Sequence, residues 1–500
     1  MCASGRRESG AGHVPLTVHP EIRVAPASLR RHSYGASATR RCDFRGFGCT
    51  LTALLALDAI VALAPGTARA DVPPIVEVEE VVTRYASANN GAGPLWCYGS
   101  TVIARDGEEV FLSSIETGND VPPLCNCRWQ LWQRGPGGWK IVQHENDYRQ
   151  REPCPIAVIP GGPVFLSANP STQPAGVHYG PCRPLVLQFG RKDLAAPPKQ
   201  EEPAFAEGTY FTDHSYRGFA ADGQTGELLL VNINAKTSAQ FVSHRDRQGV
   251  WHARGTIVFP IRSCYPQVAL RNGAAHVLAI GDITEPNEQW RKTKSEKTGS
   301  KWDYVFRRLF YTYTPDIEKK PFAAPLEVET VDNTGGHIAN LDLFIDARGA
   351  AHLLYLKQPY ANQVIREKYF PQAANTAHLE YAVVREGKVV DRRTLAATSD
   401  KAGDLTPAYA RFHVGTGEKL YVIAAGNMAG EKGTPAFGDF LAPVPPGGGK
   451  PAFTRIALKH PLSNFFTNTP RGGSKPGDLI DLHGVAADPL ELRYVRIRLR

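Results

Sequence analysis

Asp213, His214, Ser215, Tyr216 and Arg217 are consecutive, and a second run of the same character follows at Arg262, Ser263, Cys264, Tyr265 and Pro266. One imidazole, two phenols and two guanidinium groups suit recognition of an anionic sugar. Pyranose faces stack on aromatic rings, guanidinium forks take a carboxylate or sulfate bidentately, and His and Tyr can move protons. Residues of the same kinds recur along the chain at Trp96, Tyr98, Glu152, His337, Asn340, Tyr409, Arg411, Asp481 and His483. Hundreds of residues separate the first from the last, so they can act together only if the fold keeps returning the chain to one place.

Other chemistries are poorly represented. There is no G-x-S-x-G, Walker loop, H-E-x-x-H or glycine fingerprint set between a strand and a helix, which argues against serine hydrolase, nucleotide and zincin classes. His144-Glu145-Asn146-Asp147 has metal-binding residue types but falls at an outer strand end, and Cys125-Asn126-Cys127 is not followed by a histidine pair. No metal site and no cofactor are therefore expected, although a structural calcium in the channel stays open.

The elements that must position these residues are repeated hairpins. Short apolar runs flank tight turns at Asp106-Gly107, Gly161-Gly162, Asp222-Gly223, Asn272-Gly273, Arg348-Gly349, Thr416-Gly417 and Asp488-Pro489. Their spacing fits one four-stranded sheet per repeat. The expected fold is all-β, a seven-bladed β-propeller. Ile75–Tyr85 alternates like a strand with no local partner, while the chain ends just after the second strand of the seventh repeat, the hairpin of Gly484–Ala486 with Leu492–Ile497, so the N-terminal strand is expected to close the last blade beside Leu492–Leu499. In such a ring the blade-entry segments converge on one funnel. The segments Gly281–Trp302, Lys357–Ala377 and Asn427–Pro451 are expected as long loops around the same face.

Residues 1–70 read as a leader, leaving 71–500 as a single propeller domain. Arg40, Arg41 and Arg45 precede an apolar stretch from Leu51 to Ala64, and Ala68-Arg69-Ala70 has the small-residue form that a signal peptidase cuts. A secreted or periplasmic destination is expected, with no membrane span after cleavage. Six cysteines would remain, Cys97, Cys125, Cys127, Cys154, Cys182 and Cys264, and they are expected to be oxidised and gathered on the entry face in a pairing that spacing does not choose. The leader's nine arginines against four acids supply five of the eight net positive charges, so the rest is close to neutral and a nucleic-acid partner is not indicated.

Two outer turns, Arg134–Trp139 and Asp246–Trp251, loosely resemble the Asp-box of BNR-repeat propellers, S-x-D-x-G-x-x-W, in which the Trp packs between blades. Over Tyr210–Asp316, the run His214-Ser215, then Tyr265-Pro266 one blade later, then Arg307-Arg308-Leu309-Phe310-Tyr311, resembles the propeller polysaccharide lyases that act on uronate glycans such as ulvan; sialidase-type propellers are a more distant likeness. The lyase resemblance implies β-elimination. Arg262 or Arg217 would neutralise the uronate carboxylate, and Tyr265 and His214 would share the roles of base and acid. Tyr216, Arg217, Trp96, Tyr98, His337, Asn340, Tyr409 and His483 would bind the polymer. The chain departs from that pattern where a second His is expected, near Asn232 and Asn234, and where an Arg is expected, at Gly281-Asp282. The expected partner is an extracellular, anionic polysaccharide met by a monomer, handled either by a lyase or by a non-catalytic carbohydrate- or protein-binding propeller.

Overall fold

Val164–Ala168 is buried at every position, whereas Lys388–Ala397 alternates exposed and half-buried residues along most of its length. The first pattern belongs to a strand covered on both faces, the second to one at a sheet's outer edge. The computed structural model describes residues 73–500 apart from 97–98, 175–176, 178, 300–302, 430–434 and 489. The expected leader lies outside the described residues. Seven four-stranded antiparallel sheets succeed one another around an axis, a seven-bladed β-propeller.

Blades 1 to 6 each use four strands in chain order, with a small two-stranded sheet, Ile283–Thr284 and Tyr304–Val305, inserted between the second and third strands of blade 4. Their innermost strands are Ile103–Asp106, Ile156–Val158, Arg217–Asp222, Ser263–Arg271, His337–Ile345 and Leu405–Val414. Blade 7 is composite: Asn464–Thr467, Leu479–Val485 and Glu491–Arg498 are completed by Ile75–Arg84, which pairs antiparallel with the last of them. The ring thus closes as the sequence indicates. One detail differs. Asn464–Thr467 is the inner strand of blade 7, so the turn at Asp488 joins the second and third strands rather than the first and second. The blade was out of phase because its inner strand is only four residues long and is followed by an extended segment.

That segment, residues 468–478, crosses the axis. Gly472 O accepts from Val158 N at 2.9 Å, Arg471 O from Ala221 N at 2.8 Å, and Ser474 Oγ from Arg105 N at 2.9 Å, so one strap touches the inner strands of blades 1, 2 and 3. Arg471 reaches Asp342 of blade 5 at 3.0 Å and the carbonyl of Gly99 at 2.9 Å. Arg105 pairs with Asp481, and buried Arg411 donates to Leu341 O and to Tyr409 Oη. The axis is therefore filled with matched charge and backbone hydrogen bonds, as buried ions require.

Apolar cores form wedges between blades. Phe111, Leu131, Ile156 and Leu166 join blades 1 and 2, and Leu229, Val231, Val268 and Val277 join blades 3 and 4. Trp139 packs edge-on against Tyr494 of blade 7 with ring centroids 5.1 Å apart, and Trp251 Nε1 donates to Glu201 of blade 2 at 2.9 Å.

Two stretches expected as loops contain helices. Helix α1 (Glu288–Thr298) is capped by Asn287, whose side chain accepts from Trp290 N at 3.1 Å, and α2 (Gln363–Tyr369) is capped likewise by Asn362 at 3.0 Å. Trp290 lies against Tyr369 and Phe370, so the two insertions are packed together and ordered. The third stretch is largely strand, with Leu420–Ala429 pairing Pro435–Pro443. No disulfide joins the described cysteines to one another, and Cys125, Cys127, Cys182 and Cys264 carry thiols; Cys97 lies outside the described residues. The Cys125 thiol, with burial, pushes the Cys182 thiol up.

Candidate functional site

In blade 4 the inner strand loses register between Cys264 and Gln267, and Tyr265 adopts φ +50°. A bulge with a left-handed non-glycine residue costs energy and re-aims a side chain. Here it turns the Tyr265 ring toward blade 3, where it lies 4.4 Å from Tyr216, while Trp96 meets it edge-on at 6.0 Å. Asn340 of blade 5 holds the bulge, its Nδ2 donating to Tyr265 O at 2.7 Å. The guanidinium of Arg262 lies 6.0 Å from the centre of the Tyr216 ring.

Trp96, Gly99, Glu152, Pro153, Tyr216, Arg217 and Tyr265 line a cavity of about 10 Å³, room for one water. Arg217 is buried beneath it, donating to Pro153 O and Ser167 O at 3.2 Å each. Glu152 receives Arg151 Nη1 at 2.7 Å. Burial pushes the Glu152 carboxyl up despite the opposing charges of Arg151 and Arg217. Burial likewise pushes the Tyr216 phenol up to about 12 and Tyr265 well above its ordinary value. Both phenols therefore stay protonated at neutral pH. Burial works against the Arg262 charge, but Cys264 and Asp282 outweigh it and the group stays a cation, hydrogen-bonded to the Asp282 carboxylate.

His214 stands at the rim with about a third of its side chain exposed. Its Nδ1 is 3.1 Å from Oδ1 of buried Asp213, and Tyr179 lies 5.7 Å from its ring. This contact orients the imidazole through Nδ1.

The structure thus brings together Trp96, Tyr216, Arg217, Arg262 and Tyr265, with His214 on the same face and Asn340 behind the bulge. The other expected residues are placed differently. His337 is separated from Tyr265 by Phe306, at ring distances of 5.7 and 6.0 Å. Tyr409 is engaged inside the axis by Arg411 and Phe465. His483 is on the second strand of blade 7, buried with Nδ1 3.0 Å from Arg493 O, because of the phase shift in that blade. Tyr98 lies outside the described residues.

Asn232, where a second His is expected, is fully buried opposite Arg217 in the strand register, and both its amide atoms lack a hydrogen-bond partner among the described residues. A larger cleft of about 280 Å³, lined by Pro122, Asn146, Asp147, Tyr148, Arg149 and Gln173, opens between blades 1 and 2 on the same face. Sequence reasoning missed it because three separate loops build it, with no motif in any of them.

Burial, with Arg307 adding to it, pushes the His337 imidazole down to about 4. A histidine whose folded pKa is depressed contributes stability present above its unfolded value of about 6.5 and lost as pH falls toward 4. His337→Gln is expected to flatten the loss of unfolding free energy across that window. An unchanged slope in urea titrations over the same pH range would remove His337 from the titrating groups.

No family model matches the chain, and no curated protein does. Among solved structures, the polysaccharide lyase Uly1 superposes with a TM-score of 0.48 at 11% identity, over 80% of this chain and 90% of that one. A PL25 ulvan lyase bound to -[GlcA(1-4)Rha3S]- gives 0.47 at 10% identity, over 85% and 95%. The Penicillium chrysogenum alpha-L-arabinanase complexed with arabinobiose gives 0.37 at 12%, over 69% and 92%. The likeness lies in the propeller fold.

Proposed function

We propose that this propeller engages an anionic, uronate-containing polysaccharide outside the cytoplasm, on the face formed by Trp96, His214, Tyr216, Arg262 and Tyr265. The observation that carries the reading is the Trp96–Tyr265–Tyr216 aromatic cluster with a cation at its edge, since stacking faces beside a guanidinium match a charged sugar. The adjoining cleft between blades 1 and 2, with Tyr148 and Arg149, extends the surface for a polymer. Among the described residues no helix is long and apolar enough to cross a membrane.

The finer reading is β-elimination. His214 Nε2 would take the C5 proton, the C4–O bond would break as the C4=C5 bond forms, and the Tyr265 phenol would protonate the leaving oxygen. Arg262 would neutralise the carboxylate, which requires its release from Asp282. The second reading, binding without turnover, is favoured by that ion pair and by a cavity that holds only one water.

Incubation with a panel of uronate polymers, following the absorbance of the unsaturated product alongside a direct binding assay, separates the two. Arg262→Ala is expected to weaken binding by about 1.5–3 kcal/mol. Tyr265→Phe is expected to abolish turnover and largely spare binding. Binding without product supports the second reading, and neither binding nor product across the panel leaves a protein-interaction scaffold as the better account.

A further inference from the structure

The propeller's other face carries a cluster of a different kind. In blade 3, Glu227 opens the second strand and His244 lies near the end of the third. His244 is paired with Leu229, two residues after Glu227, so both side chains are on the face turned toward blade 4, as Leu229 is. Glu318 arrives from blade 4 in the turn after Arg308–Thr314. The turn is anchored by buried Ile317, whose N donates to Gly273 O at 2.8 Å, and by Glu318 N donating to Asp316 Oδ1 at 3.0 Å. The three ligand-type atoms lie within 4.8 Å of one another.

His244 is fully buried, yet neither ring nitrogen has a hydrogen-bond partner; Nε2 stands 3.2 Å from Glu227 Oε1 without the alignment of a hydrogen bond. Glu227 is 4% exposed, and its Oε2 also lacks a hydrogen bond, with only Arg247 Nε at 3.5 Å. Buried polar atoms are nearly always hydrogen-bonded, so three atoms at one seam that lack a hydrogen bond, two of them held only by loose ion-pair contacts, point to a group that would satisfy them. We infer that Glu227, His244 and Glu318 form a site for a divalent transition cation of the zinc class, clamping blade 3 to blade 4 on the face opposite the aromatic cluster.

One imidazole and two carboxylates are a donor set that zinc accepts, with water in the fourth position. At metal–ligand distances of about 2.0–2.1 Å, neighbouring ligand atoms stand about 3.4 Å apart, so the cluster needs only a small contraction. The exposed Glu318 can supply it by changing rotamer. Two cations oppose the site. Arg254 donates to Glu318 O at 3.5 Å, and Arg247 answers Glu227 from a side chain that is 62% exposed and free to swing out. Arg247 is the group a metal would displace.

The test is zinc titration of the metal-stripped full chain by competition with a chromophoric chelator, with cobalt as a spectroscopic substitute. One zinc per chain is expected at this seam, with a rise in melting temperature and a cobalt spectrum lacking thiolate charge-transfer bands. Glu318→Gln, a surface change that spares folding, should weaken zinc by about tenfold or more, and His244→Gln by roughly 100-fold. Arg247→Gln should tighten it. If the wild-type chain takes up no zinc, or if Glu318→Gln and Arg247→Gln both leave affinity and cobalt spectrum unchanged, the site is refuted. Should His244→Gln fail to fold, the other two variants still decide.

Discussion

Asp481→Ala is expected to lower the unfolding free energy by about 3–5 kcal/mol, the scale for stripping one partner from a buried ion pair. The Asp481 carboxylate is fully buried and receives Arg105 at 2.5 and 2.7 Å and the Tyr494 hydroxyl at 2.6 Å. Blades 7 and 1 meet there, where the ring closes. Without the carboxylate, Arg105 is left as a guanidinium buried in the seam, and most of the loss comes from that orphaned charge. The matched control is Glu77→Ala, which removes the partner of half-exposed Arg498 in the same blade and should cost no more than about 1 kcal/mol. Urea unfolding of both variants decides the matter. Comparable small losses would mean that the axial pairs are solvated and that the ring is not sealed by charge.

Gly473→Ala is expected to cost more than about 3 kcal/mol or to expel the strap from the axis. A Cβ at Gly473 would stand 1.7 Å from the carbonyl oxygen of Val158, and the residue has φ +84°, a conformation that glycine adopts freely and alanine does not. No side-chain rotation relieves the clash, because the obstacle is the backbone of blade 2. Gly107→Ala separates the two causes: φ is +60° there but nothing lies within 4 Å, so only the conformational cost of about 1–2 kcal/mol should appear. Equal losses for the two substitutions, read from urea midpoints at constant m-value, would show that residues 468–478 do not cross the axis as described.

What the sequence determined by itself follows from local periodicity. Alternating or continuous apolar runs around turn residues, as at Leu270-Arg271-Asn272-Gly273, commit the chain to hairpins; Asn272 and Gly273 have φ of +51° and +77°, values that these residue types tolerate best. Repeated seven times, the hairpins specify the propeller, and an unpaired N-terminal strand facing an incomplete last blade specifies its closure. The entry positions of blades 3 and 4 were legible for the same reason: consecutive blades are neighbours, so Tyr216 and Tyr265 had to be near each other.

What the tertiary structure alone decided depends on contacts between distant segments. The bulge that tips Tyr265 onto Tyr216 is held by Asn340, which belongs to another blade. The strap that fills the axis is set by Gly473, whose constraint is a carbonyl more than three hundred residues away in blade 2. The phase of blade 7, and with it the burial of His483, was hidden because a four-residue inner strand leaves too little periodicity to read. The folding of two polar insertions into α1 and α2 depended on Trp290 finding Tyr369 and Phe370. Asp282 was visible in the sequence as a departure from the expected Arg, but its pairing with Arg262 appears only when the first and second strands of blade 4 lie side by side. Side-chain charge state follows burial, and burial is a property of the assembled ring.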